Sequence, residues 1–147
     1  MLKKLKKVGL ILLIIGVGIQ FYRPNKNEQK ETTTDDFLIT EKAPNPIKSL
    51  LKTSCYNCHS NYTKYSWYDN IAPASWYVDS HIKNAKEKLN FSNWATTDER
   101  DRNGLISEIA VNIQEGKMPL PSYTMIHSEA KLSDAEKQQI IEWLSSL

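Results

Sequence analysis

Cysteine is nearly absent from this chain. Only Cys55 and Cys58 occur in 147 residues, so no second C-x-x-C pair exists to complete a four-cysteine zinc site. An excess of one charge is missing too. Lys and Arg number 19 against 17 Asp and Glu, a net charge of +2. Four of the lysines (Lys3, Lys4, Lys6 and Lys7) stand in the first seven residues. The remainder is close to neutral, which speaks against a nucleic-acid partner gripped by its phosphates. After the N-terminal run no segment alternates with the period of a strand, and no internal repeat appears. No paired carboxylates and no Ser-His-Asp arrangement mark a hydrolytic site. The longest apolar run, Val8 to Tyr22 broken only by Gln20, is shorter than the roughly 20 residues that cross a bilayer comfortably.

That run nevertheless follows a lysine cluster, and a positive stretch before a short apolar one is an export signal. Gly16 to Tyr22 offers no A-x-A-like cleavage site, and no cysteine follows to carry a lipid. Phe21, Tyr22 and Arg23 suit a membrane interface. Residues 1–23 are therefore expected to be an uncleaved signal-anchor in preference to a cleaved signal peptide. The lysines stay inside, making a single-pass membrane protein with its domain in the periplasm or on the outer surface.

Residues 24–44 are rich in Asn, Lys, Glu, Gln, Thr and Asp and read as a flexible tether, with Phe37-Leu38-Ile39 its one sticky spot and a candidate to pack on the domain. The domain is expected over 45–147 and to be all-α. Asn45 is the expected cap of a first helix, with Pro46 at its start and Ile47, Leu50 and Leu51 on its inner stripe. A second helix is expected from Pro73 to about Leu89, buried through Val78, Ile82, Ala85 and Leu89. Thr96 and Glu99 form a candidate capping box for a third, with Leu105, Ile106, Ile109, Ala110 and Ile113 inside and Gly116 at its end. Ser133 and Glu136 repeat that signal for a last helix carrying Ile140, Ile141 and Leu144. Between these two lies a proline-stiffened, extended loop from Lys117 to Tyr123.

The chain's chemistry centres on Cys55-Tyr56-Asn57-Cys58-His59, a C-x-x-C-H sequence. Two thiols one helical turn apart match the two vinyl groups of a haem, and the next residue supplies an imidazole to the iron. A thioredoxin-like pair would need a βαβ setting, and zinc would need further ligands, whereas His81 and His127 lie far apart. A plain disulfide would leave His59 without a role. For the sixth iron ligand Met118, in its Met-Pro loop, leads; a gap-filling core methionine is the plainer alternative. His81, beside a buried helix face, is the rival ligand, or else a histidine satisfied by a propionate or a carbonyl. Met125 reads as packing and His127 as a loop or capping residue. Tyr62, Tyr65, Trp67 and Tyr68 either wall the porphyrin or fill core space.

With these residues stand Ser60-Asn61, Trp67-Tyr68, Ala72-Pro73, Ser75-Trp76, His81, Asn90-Phe91-Ser92 with Trp94, Met118-Pro119-Leu120 with Tyr123, and His127 with Ala130-Lys131-Leu132. The set, across about 45–147, resembles the bacterial haem-binding-domain family of small exported c-type haem proteins. It departs at Ser66, where Pro is expected, and at Asn84-Ala85, where Gly-Arg is usual. The resemblance implies one covalent haem c, with Cys55 and Cys58 attaching it and His59 as proximal ligand. A small cytochrome c-like helical domain behind an N-terminal membrane helix is thus expected. It would pass single electrons between redox partner proteins of the periplasm or membrane, as a carrier more than an enzyme. A haem sensor or peroxide-reactive protein with an open distal site, and a zinc-binding interaction module, are the alternatives.

Overall fold

The computed structural model of this protein describes residues 1–29 and 34–147. Helix α1 (Leu2–Gly18) continues into a 3-10 turn, Ile19–Phe21, and the chain reaches the short α2 (Phe37–Thr40). Helix α3 (Asn45–Ser54) runs into α4 (Tyr56–His59), then α5 (Ala74–Lys88), α6 (Glu99–Gln114), α7 (Pro121–Thr124) and α8 (Asp134–Leu144). Further 3-10 turns lie at Trp67–Asn70, Phe91–Thr96 and Ser128–Ala130. Among the described residues there is no strand, only an isolated bridge between Glu28 and Tyr62. The all-α expectation holds.

Burial follows the helical stripes. Ile47 and Leu51 of α3, Ile82 of α5, Ile109 and Ile113 of α6, and Ile140 and Leu144 of α8 are all buried. All but Ile82 bury against an aromatic centre in which Phe37 stacks on Phe91 at 5.1 Å and meets Trp94 at 4.5 Å and Trp143 at 5.3 Å. Such pairs add to the stabilisation that area burial provides.

This centre changes the reading of 24–44. Phe37 and Leu38 are 0% and 2% exposed, so the packed unit starts well before residue 45. Asp36 caps α2 by accepting from the Leu38 amide at 3.0 Å. Glu41 accepts from the Trp94 indole N–H at 2.6 Å. The sticky spot does pack on the domain, as its apolar run allows, but a short apolar plug hardly moves the average composition of a polar stretch, and composition therefore sets the boundary too late. Residues 30–33 of the expected tether lie outside the described residues.

Two expected caps also move. Pro44, not Asn45, precedes α3, and Asn45 is the first helical residue. Thr96 donates to the Asn93 carbonyl instead of capping α6, which Asp98 precedes without a side-chain bond. The Ser133–Glu136 capping box forms as expected. Gly116 ends α6 at φ +67°, the left-handed conformation that glycine adopts cheaply. The loop after it is shorter than expected, because Pro121 starts α7.

All the large apolar side chains of α1 are exposed. No helix among the described residues is long and apolar enough to cross a membrane.

Candidate functional site

Helix α3 delivers the C-x-x-C-H residues and stops at Ser54. Cys55 breaks the helical path (φ −126°, ψ −40°), and a new turn starts, with Cys58 N–H and His59 N–H both donating to the Cys55 carbonyl at 3.1 and 3.0 Å. The thiols therefore project from one turn, and both are free. No disulfide joins them.

Burial pushes the Cys55 thiol up to about 12 and the Cys58 thiol up to about 11. A dithiol built for exchange has its thiolate stabilised instead. Among the described residues no group of three or more His, Cys, Asp and Glu side chains comes together to hold a metal. The redox-pair and zinc readings thus lack the surroundings they need.

His59 is set up differently. Its Nδ1 lies 3.0 Å from the Leu89 carbonyl. A carbonyl only accepts, so Nδ1 carries the proton and Nε2 keeps its lone pair. Burial lowers the His59 pKa, favouring the neutral ring. Neutral imidazole, oriented by a backbone carbonyl at the other nitrogen, is the usual state of a metal-ligating histidine. The ring also lies 6.0 Å from Phe91. Leu89 was in the sequence, but its role was not legible. It is the C-cap of α5, where a carbonyl has no partner within the helix, and no side chain announces that.

One cleft brings the expected residues together. Cys55, Cys58, His59, His81, Met118 and Tyr123 all line it, around an empty volume of about 770 Å³ that includes open solvent. Toward α6 the space continues between Cys55, His59, Leu89, Phe91, Ile109 and Met118. Toward α7 it continues past Cys58, Tyr68, His81, Ile82, Leu120 and His127. The walls are mostly apolar, as a porphyrin requires.

Met118 is placed by the end of α6. Its N–H donates to the Asn112 carbonyl at 3.1 Å, beside the same bond from Lys117 at 2.9 Å, so the glycine turn sets where the thioether stands. His81 donates from Nδ1 to the Tyr77 carbonyl at 2.8 Å and lies over the Tyr77 ring at 4.0 Å. It too has a free Nε2. Both expected sixth ligands reach this cleft.

Other residues divide. Tyr68 lines the space next to Cys58 and its hydroxyl meets His127 Nε2 at 2.5 Å. Trp67 and Tyr62 are exposed and wall nothing. The Tyr65 hydroxyl accepts from the Asn27 N–H at 2.8 Å. His127 does more than end a loop: its other nitrogen pairs with Glu129 at 3.2 Å, and its ring stacks on Tyr123 at 4.3 Å. Tyr123 in turn accepts from the Asn57 amide at 2.7 Å, bracing the middle of the C-x-x-C-H turn. Met125 is exposed and does not pack.

The donor set and its apolar surroundings fit a haem: an imidazole with a free Nε2, two free thiols on one turn, and a thioether or second imidazole in the same cleft. A profile of the haem-binding domain matches residues 14–146. No curated protein and no solved structure matches the chain.

Proposed function

From the premise that this chain belongs to the haem-binding-domain family, we propose that it is a membrane-tethered c-type cytochrome that passes single electrons outside the cytoplasm. One observation carries this reading: Cys55, Cys58, His59 and Met118 line one mostly apolar cleft. Cys55 and Cys58 would hold a single haem by thioethers, and His59 would ligate its iron through Nε2. Haem bound there supplies a one-electron couple. The chain's own residues orient it and keep water from it. The Leu89 carbonyl keeps the His59 proton on Nδ1 and the ring at one angle. Ile109, Phe91 and Leu89 provide a low-dielectric wall. Met118 would complete the coordination, which raises the potential relative to a second histidine. His81 is the second reading for that place, favoured by its free Nε2 in the same cleft.

The lysine cluster and the exposed apolar face of α1 support membrane attachment through residues 1–23. Redox partners would then be periplasmic or membrane proteins. The absorbance spectrum of the purified full chain tests the proposal. A low-spin, six-coordinate haem spectrum in both redox states is expected. A high-spin spectrum would point to the sensor or peroxide-reactive reading, and a missing Soret band would overturn haem binding by this chain.

A further inference from the structure

The residues after α1 are fastened to the domain by specific bonds. The Gln20 side-chain amide donates to the Ala72 carbonyl at 3.0 Å and accepts from the Ala72 N–H at 2.9 Å. The Trp76 indole donates to the Tyr22 carbonyl at 3.0 Å, and the two rings meet edge to face at 5.8 Å. Further on, Asn27 bonds Ser60, Thr63 and Lys86 through its side chain. The end of α1 is thereby latched to the start of α5.

Several large apolar side chains next to that latch in the chain are exposed. Phe21 is 86% exposed, Trp67 76%, Tyr22 69%, Tyr77 57% and Ile71 47%. Ile71 precedes the Ala72 that Gln20 holds, and Tyr77 follows the Trp76 that holds Tyr22; Trp and Tyr are the residues that settle at the headgroup level of a bilayer. Length argues the same way. The uncharged part of α1, Val8 to Gly18, covers 11 residues. At ~1.5 Å per residue this is about 17 Å, against about 30 Å of hydrocarbon. So short a helix is accommodated by drawing its flanks into the interface. At the start, lysine stems can stretch to the headgroups. At the other end the flank is Phe21-Tyr22, and this flank is latched to the domain.

We propose that the exposed side chains of Trp67, Ile71 and Tyr77 rest in the lipid headgroup layer beside α1, holding the haem-binding domain against the bilayer in one orientation. This rests on the membrane attachment proposed above. The occupant is the lipid surface, because Ile71 and Tyr77 neighbour the very residues, Ala72 and Trp76, to which the end of the exposed apolar helix is fastened.

The full-length holoprotein in phosphatidylethanolamine–phosphatidylglycerol vesicles, carrying the photocrosslinker p-benzoylphenylalanine at Trp67, tests this. The same group at Val111, an exposed residue of α6, is the comparison. Position 67 is expected to couple to lipid several-fold more than position 111, and Gln20→Ala to shrink that contrast. Equal lipid coupling at the two positions, with the chain still sedimenting with the vesicles, would overturn the apposition and leave the attachment standing. Coupling of position 67 to a second copy of the chain would overturn the lipid as occupant. Release of the chain by an alkaline wash would overturn the attachment, and the apposition with it.

Discussion

At the scale of single residues, the C-x-x-C-H motif could be read from the sequence because the chemistry proposed for it imposes a spacing. The carbonyl that orients His59 could not, since a backbone acceptor at Leu89 depends on where α5 stops. Both candidates for a sixth ligand, Met118 and His81, reach the cleft. Met118→Ala is expected to lower the reduction potential, or open the iron to added ligands, while covalent haem is kept; His81→Ala is expected to change neither property. Potentiometry and azide or cyanide binding check this. The opposite pattern would assign the place to His81. Asp36 gives a second residue-level outcome. Its carboxylate is 3% exposed, and burial raises its pKa despite the hydrogen bond from the Tyr56 hydroxyl at 3.0 Å. The unfolded chain therefore loses this proton at lower pH than the folded one does. Folding stability should fall as pH rises from the ordinary carboxylate value through the raised one, and stay lower above it. Asp36→Asn keeps an acceptor for Leu38 and Tyr56 and is expected to remove that slope. Asp36→Ala loses the cap and strands a hydroxyl, costing about 1–3 kcal/mol. Denaturant melts between pH 4 and 7 read both.

At the scale of elements, the long helices were legible because their apolar residues keep a helical period over many turns. Gly116 marked a true helix end for a local reason, its left-handed φ. The short α2 was missed: four residues carry no period, and only the tertiary contacts of Phe37 reveal it as core. Thr96 failed as a cap because its hydroxyl turns back to Asn93, inside the preceding 3-10 turn. The structure makes the cost of misplacing the boundary concrete. Phe37→Ala is expected to destabilise the domain by about 3–5 kcal/mol, through lost burial and a cavity among Phe91, Trp94 and Trp143. A chain beginning at residue 45 removes Leu38 and the Asp36 cap as well and should fail to fold cooperatively. A chain beginning at residue 24 should melt in one transition. Thermal unfolding followed by circular dichroism distinguishes them.

At the scale of the whole molecule, the all-α class was legible from the missing strand period, and the haem-binding family from motifs spread over the domain. What one sequence could not show was convergence. Residues 55–59, 81 and 118 are separated along the chain, and only the packing of α3 and α6 around the aromatic centre, with α5 set beside α4, brings them to one cleft. Small domains bury a modest fraction of their surface. Filling this cleft would therefore add a large share of the core, and the apoprotein should be markedly less stable than the holoprotein. The central claim is that Cys55 and Cys58 hold one haem covalently. Its most direct test is the intact mass of the full chain, expressed with a c-type maturation system and measured after denaturation in acid. The expected result is the chain mass plus one haem, reduced to the bare chain when both cysteines are replaced by serine. A bare chain mass for the unsubstituted protein, with its haem recovered free in the solvent, would contradict it.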